Sequence, residues 1–299
     1  MNYKIWLSAF RLRTLPLALS CIGMGGFLAA SVGKMDVTIL SLCISTTIFL
    51  QILSNLANDY GDTINGADSA EREGPSRAVQ SGAISLRAMK TAIGVFILFS
   101  LVNGISLLYI AFGYDWTSVL FFFGLGVLSI IAAITYTAGQ KPYGYAGLGD
   151  VSVLLFFGLV GVMGSSYLFT KEVIWVFALP GLSCGLFSVA VLNINNIRDI
   201  ESDQKAGKYS IPVRIGRSKA VVYHWLLISL GMALSVVFTI LTYDHYAQWS
   251  YLLVLPLLIR NGIGISKNTD AKSIDPYLKQ MAMTTLLFVV LFGVGMVLG

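Results

Sequence analysis

Between Asn55 and Gly82 the chain reads NLANDYGDTINGADSAEREGPSRAVQSG, and five carboxylates, Asp59, Asp62, Asp68, Glu71 and Glu73, fall within fifteen residues. A second acidic run, Asp199, Glu201 and Asp203, lies in NINNIRDIESDQKAGK. If the apolar helices before them run on by a turn, Asn55, Asp59 and Asp62 recur at i, i+4, i+7. Asn195, Asp199 and Asp203 then recur at i, i+4, i+8, so each trio forms a polar stripe on one helix face. Aligning Asn58-Asp59-x-x-Asp62 with Asn195-Asn196-x-x-Asp199 gives a constant offset of 137 residues, the pattern of an internal repeat that brings oxygens to one depth from two halves.

Oxygen donors with no His or Cys beside them select a hard cation such as Mg²⁺, usually held by a few carboxylates together with substrate phosphate oxygens. Arg72, Arg77, Lys205, Lys208 and Arg214 flank the acids, and such side chains clamp phosphate oxygens. Solvated, salt-bridged loops would explain the charge but not two Asn-x-x-x-Asp faces in corresponding places. The pattern reads as a Mg²⁺-diphosphate site. Its other end belongs in lipid, which makes a polyprenyl diphosphate the simplest ligand. Nucleophilic catalysis has little to work with: there is no Ser-His-Asp set, Cys21, Cys43 and Cys184 lie in apolar runs, and the only histidines, His224 and His245, lie away from the acids. Ionising an allylic diphosphate needs neutralisation of the leaving group, and aromatic faces then shield the cation until an electron-rich ring attacks it.

Membrane spans hold these groups in place. Of 299 residues, 56% are hydrophobic and only 12% charged, about half the usual charge. Apolar runs near 15–33, 37–58, 88–112, 116–138, 150–169, 173–197, 219–242, 247–266 and 277–298 are long enough for helices and too long for barrel strands. The expected fold is all-α: one membrane-embedded domain, residues 1–299, a polytopic bundle of about nine helices in two quasi-repeated halves. Arg260, Asn261, Gly262 and Gly264 mark the eighth span as short or discontinuous. The first span lacks a small-x-small cleavage site and is expected to stay as a helix. Eighteen of the 20 Lys and Arg fall on the N-terminal side of the bundle, and only Lys34 and Lys171 on the other. That split puts the N-terminus and both acidic runs in the cytoplasm and the C-terminus outside. The net charge of +5 is therefore a membrane rim, not a nucleic-acid surface.

NDYGD with Asp68, and NNIRDIESD with its following GK, resemble the two aspartate-rich motifs of the UbiA-type intramembrane aromatic prenyltransferases, and the likeness extends to the N-terminal RLRTLPLAL. The resemblance implies nine helices in the bacterial inner membrane. It also implies two Mg²⁺ ions held by Asp59, Asp62 and Asp68 with Asp199 and Asp203, oriented by Asn58 and Asn195, and a diphosphate met by Arg72, Arg77, Lys205 and Lys208. Two departures stand out. Asp62 and Asp68 are six residues apart where the family commonly has four. The family's Tyr-x-x-x-Lys becomes Tyr136 with Gln140 four places on and Lys141 one residue late. Tyr136 would shield the cation and Lys141 would touch the diphosphate; as bare residues, Tyr136, Tyr143 and Tyr145 equally suit an interfacial aromatic belt. Asp150 suits either the start of a helix or the edge of an acceptor site. QILSNLANDYGD, ITYTAGQKPYGYAGLGD and VLNINNIRDIESDQKAGK are more similar to members that prenylate 1,4-dihydroxy-2-naphthoate, with loss of its carboxylate, than to those acting on 4-hydroxybenzoate. The acceptor implied is thus an aromatic acid. Against the rival reading, an ion-coupled secondary transporter, the acids cluster at one rim and leave the spans nearly free of charge. The Asp-Gly-x-x-Ala-Arg motif of CDP-alcohol phosphotransferases is absent.

Overall fold

A computed structural model describes residues 3–66 and 77–298. Among the described residues there are no strands, and nine helices are long and apolar enough to cross a membrane: α1 Tyr3–Ser31, α2 Val37–Ile64, α3 Leu86–Phe112, α4 Trp116–Thr135, α5 Gly149–Thr170, α6 Trp175–Arg198, α7 Arg217–Leu241, α8 Tyr246–Lys267 and α9 Ala271–Val297. These lie within a few residues of the expected spans, except that the first and last begin earlier and the second ends later.

Local chemistry sets four of the starts. Asp36, Ser85, Asp115 and Asp270 cap α2, α3, α4 and α9, each side chain accepting from a backbone N–H three residues on, which satisfies donors that a helix start leaves orphaned. α1 is two pieces. Tyr3–Phe10 stops at Arg11, whose backbone is left-handed (φ 49°), and after one tight turn Pro16 sits in the first turn of Leu15–Ser31, where its missing N–H costs nothing.

Beyond a 3₁₀ turn at Trp175–Phe177 that opens α6, two other spans depart from α geometry at length. The middle of α5, Leu154–Gly164, is wound wide in the i→i+5 manner, and Gly158 there meets Gly181 and Gly185 of α6 backbone to backbone, the small-residue contact that lets membrane helices approach closely. α8 opens as a tight 3₁₀ turn, Tyr246–Val254, and becomes α-helical at Leu255–Lys267. The eighth span therefore runs helical throughout, 22 residues from Tyr246 to Lys267 with only a change of winding, and is neither short nor broken at Arg260–Gly264: Gly262 and Gly264 are sites where the Trp225 and Tyr277 rings lie against the backbone.

α6 is buried almost all round and packs on α5, α7 and α9, while α1 packs on α9, α2 and α5. Phe187, Phe288, Phe292 and Tyr251 fill the second half with edge-to-face and tilted contacts. α4 leans on α2 and α3 and leaves most of its surface to lipid. Between α6 and α7 the chain forms two short helices, Ile200–Lys205 and Ile211–Ile215.

Candidate active site

α2 continues past its apolar run to Ile64, so the first polar stripe forms as its spacing implies. Asn55 donates to the Phe10 carbonyl (2.9 Å) and to Thr14 Oγ1 (3.0 Å), tying α2 to the break in α1. Asp59 is buried and accepts from the Ala78 and Val79 amides at 3.2 and 3.4 Å, so it also anchors the returning 2–3 loop. Asp62, equally buried, accepts from the Tyr145 hydroxyl (2.9 Å) and faces Arg77 at 3.5 Å. Asp68 and Arg72 lie outside the described residues.

The second stripe is not one continuous helix. α6 ends at Arg198, Asp199 leaves helical geometry (φ −101°, ψ 15°), and a short helix restarts at Ile200. The Asp203 amide still donates to the Asp199 carbonyl (2.8 Å), so the turn-to-turn spacing of the acids survives the break. The break lets Arg198 fold onto its own neighbour: Nε and Nη2 grip the two Asp199 oxygens at 2.8 and 2.7 Å, Nη2 also donates to Asn195 Oδ1 (2.8 Å), and Nη1 reaches Asp275 of α9 (2.6 Å). Spacing alone gave Arg198 no role.

Lys208 joins the two motifs. Its buried Nζ lies 3.2 Å from Asp203 Oδ1, and its charge interacts with Asp62, Asp199 and Tyr136 as well. Burial pushes the Asp203 carboxyl up to about 6, with Asp199 and Asp62 adding to the rise and the Lys208 ammonium opposing it. Burial likewise raises the Tyr136 phenol, with Asp150 and Asp62 adding and Lys208 opposing.

The 4–5 loop closes one wall. Gly61 makes room for it: a Cβ there would stand 2.6 Å from the Thr137 carbonyl carbon and 2.8 Å from the Ala138 nitrogen. Thr137 Oγ1 donates to the Ala57 carbonyl (3.2 Å) and Asn65 donates to the Thr137 carbonyl (2.7 Å). Tyr136 then lies edge-on to Tyr143, centroids 5.4 Å apart, against Gly149, whose Cβ would stand 2.8 Å from the Tyr136 hydroxyl.

These walls enclose a cavity of about 470 Å³, bounded at its polar end by Asn58, Asp62, Arg77, Tyr136, Asn195 and Lys208, and elsewhere largely by apolar side chains of α1, α2, α3, α4 and α5. Arg11 also lines it, a residue that only its strained backbone would single out. Of the described acids named from sequence only Asp62 lines the cavity; Asp59, Asp199 and Asp203 do not, and neither do Lys141, Lys205, Arg214 and Asp150. Lys141 and Lys205 are exposed and off the cavity. Arg214 donates to the Tyr209 and Ala146 carbonyls (2.9 and 2.8 Å), fastening the 6–7 loop to the 4–5 loop. Asp150 accepts from Tyr223 of α7 (2.9 Å).

The donor set suits a divalent cation. Asp59, Asp62, Asp199 and Asp203 are buried, offer oxygen alone, and Asp203 Oδ2 is buried without a hydrogen-bond donor among the described residues, which a protein rarely tolerates unless something else supplies the missing partner. Among the described residues no three of these acids form a ready-made ligand cluster; Arg77, Arg198 and Lys208 stand between them.

A helical membrane bundle with a largely apolar cavity whose polar end gathers Asp62 and Arg77 from the first half and Asn195 and Lys208 from the second defines a class: intramembrane proteins that handle an anionic head on a lipid tail. The chain matches the UbiA prenyltransferase family over residues 18–286 and belongs to it. It is 44% identical to the 1,4-dihydroxy-2-naphthoate octaprenyltransferase of Haemophilus influenzae and 41% identical to that of Escherichia coli, in each case across 99% of this chain and 96% of the relative. Its fold is similar to a UbiA homolog from Aeropyrum pernix K1 (TM-score 0.70, 16% identity, 97% of this chain and 98% of the other). It is also similar to one from Archaeoglobus fulgidus bound to DMAPP and Mg²⁺ (TM-score 0.63, 18% identity, 96% and 98%).

Proposed function

We propose that this protein transfers a polyprenyl group from its diphosphate to 1,4-dihydroxy-2-naphthoate, with loss of the acceptor's carboxylate as CO₂, giving the demethylated menaquinone precursor and pyrophosphate. The observation that carries the prenyl-transfer part is a cavity in which Asp62, Arg77, Asn195 and Lys208 cap an otherwise largely apolar space. The choice of acceptor rests on the likeness to relatives named for it.

Asp59, Asp62, Asp199 and Asp203, with Asp68, would hold two Mg²⁺ ions, which supply Lewis-acid neutralisation of the diphosphate leaving group. Arg77 and Lys208 bind phosphate oxygens and keep the departing charge in place. Asn58 and Asn195 orient that end of the cavity. Tyr136 presents its ring to the developing allylic cation, and its phenol, raised by burial, stays protonated and does not trap the cation. The apolar walls exclude water, which would otherwise hydrolyse that cation. Ring attack makes the new C–C bond at the carbon bearing the carboxylate. The C–CO₂⁻ electron pair then returns to the ring, restoring aromaticity, so no strong acid is required of the protein. The charge split along the chain favours a cytoplasmic site in a bacterial inner membrane, with the N-terminus on the same side.

The test is carboxyl-labelled 1,4-dihydroxy-2-naphthoate with an all-trans polyprenyl diphosphate and Mg²⁺, counting label released per prenylated product. One label per product is expected. Prenylation of 4-hydroxybenzoate with its carboxylate retained, and none of the naphthoate, would replace this acceptor while leaving prenyl transfer intact.

A further inference from the structure

We propose that Arg198 and Asp275 are positioning residues that set the divalent-cation affinity of Asp199. The inference rests on the reading above of Asp199 as a cation-binding carboxylate. Arg198 is buried, and a guanidinium withdrawn from water needs its donors matched. Here they are matched by one carboxylate on each side, Asp199 and Asp275, and by the Asn195 amide oxygen, all at 2.6–2.8 Å.

The fork of Nε and Nη2 on both Asp199 oxygens fixes the plane of that carboxylate, which a point-charge ammonium would not do. Each oxygen keeps a second lone pair, and the fork decides where those lone pairs lie. Asp275 settles the charge. Arg198 with Asp199 alone would be neutral and a poor cation ligand, whereas Asp275–Arg198–Asp199 carries a net negative charge. Asp275 comes from α9, 77 positions away from Arg198, and its other oxygen is 3.9 Å from Arg13 beside the break in α1. That outer pair is half-exposed and screened, so it contributes little to the effect. Asp275 thereby ties the second acidic motif to two further helices.

The experiment uses the full chain in detergent and needs no turnover. Mn²⁺ binding in the presence of inorganic pyrophosphate is followed by the electron paramagnetic resonance signal of the free ion, for the parent and for Asp199→Asn, Asp275→Asn, Asp275→Glu and Arg198→Lys. Asp275→Asn and Arg198→Lys should each weaken Mn²⁺ binding about tenfold, the lower end of what outer-shell partners of a metal ligand contribute, and Asp275→Glu should restore most of it. Parent-like binding by Asp275→Asn, with binding lost in Asp199→Asn, would overturn the inference and leave the metal site standing. Parent-like binding by Asp199→Asn would take Asp199 out of the cation site, and remove this inference with it. If Asp275→Asn does not survive purification, Arg198→Lys still decides the matter, since it keeps the charge and removes only the fork: parent-like Mn²⁺ binding by that variant would overturn the inference.

Discussion

The Tyr145 hydroxyl donates a 2.9 Å hydrogen bond to Oδ1 of Asp62, joining residues 83 positions apart. It fastens the 4–5 loop to the first acidic motif, and the same residue's carbonyl accepts from the Tyr209 amide (2.9 Å), so the 6–7 loop follows. Both loops are therefore registered on one carboxylate. Tyr145→Phe should raise the half-saturating Mg²⁺ concentration about tenfold and lower stability by about 1 kcal/mol, the usual worth of one such bond. Kinetics across a Mg²⁺ series, with thermal melting, read both. Unchanged kinetics would show that the phenol does not orient Asp62.

Gly61→Ala tests whether the docking of the 4–5 loop matters. The new methyl group would meet Thr137 backbone, which cannot rotate away as a flexible side-chain end could. The loop must move, at a cost of about 1–3 kcal/mol, and turnover should fall with it. Gly94→Ala is the control: that helical glycine has open space around its Cβ direction, and alanine there should be neutral or stabilise by up to about 1 kcal/mol. Melting temperatures and initial rates of the two variants compare directly.

The first motif was legible because its polar stripe keeps helical spacing where the apolar run stops, and α2 does continue to Ile64. The second motif has the same spacing but a broken helix. Carboxylates crowd the C-terminus of α6, where the helix dipole opposes them, and a local pattern does not show that Arg198 offsets this. In an unbroken helix, residues i and i+1 do not face each other, so the Arg198–Asp199 grip exists only because the helix stops between them. Asp275 lies 77 positions from Arg198 and could be found only by folding. Lys205 and Lys208 read alike in sequence, yet one is exposed and the other buried at the hub. The left-handed turn at Gly207 (φ 72°) separates their directions. The wide winding of α5 left no pattern that apolar periodicity could reveal.

Replacing single acids should separate chemistry from architecture. Asp62→Asn and Asp199→Asn are each expected to cut turnover by at least about 10²–10³-fold, the usual cost of losing one stabiliser of developing charge. The fold should be retained, and excess Mg²⁺ should restore little. Asp59→Asn should lose turnover and stability together, because its carboxylate also accepts from the Ala78 and Val79 amides. Turnover and melting measured on the same preparations test this ordering. Activity that persists in EDTA would exclude a metal from all three explanations.

Proton and cation should compete at Asp203. Its carboxyl is pushed up to about 6, chiefly by burial, above the ordinary aspartate value of about 3.9. Between those two values the folded chain holds a proton that the unfolded chain has lost. Metal-free protein should therefore lose stability as pH rises from about 4 through 6 and level off above that. Mg²⁺ should reverse the trend, because the cation binds the deprotonated form. Its half-saturating concentration should be nearly constant above pH 7 and climb below pH 6, by up to about tenfold per unit if one proton is displaced per ion bound. Melting curves from pH 5 to 8 with and without Mg²⁺, beside Mg²⁺ titrations of initial rate, check both limbs. A Mg²⁺ requirement independent of pH throughout that range would take Asp203 out of the cation site.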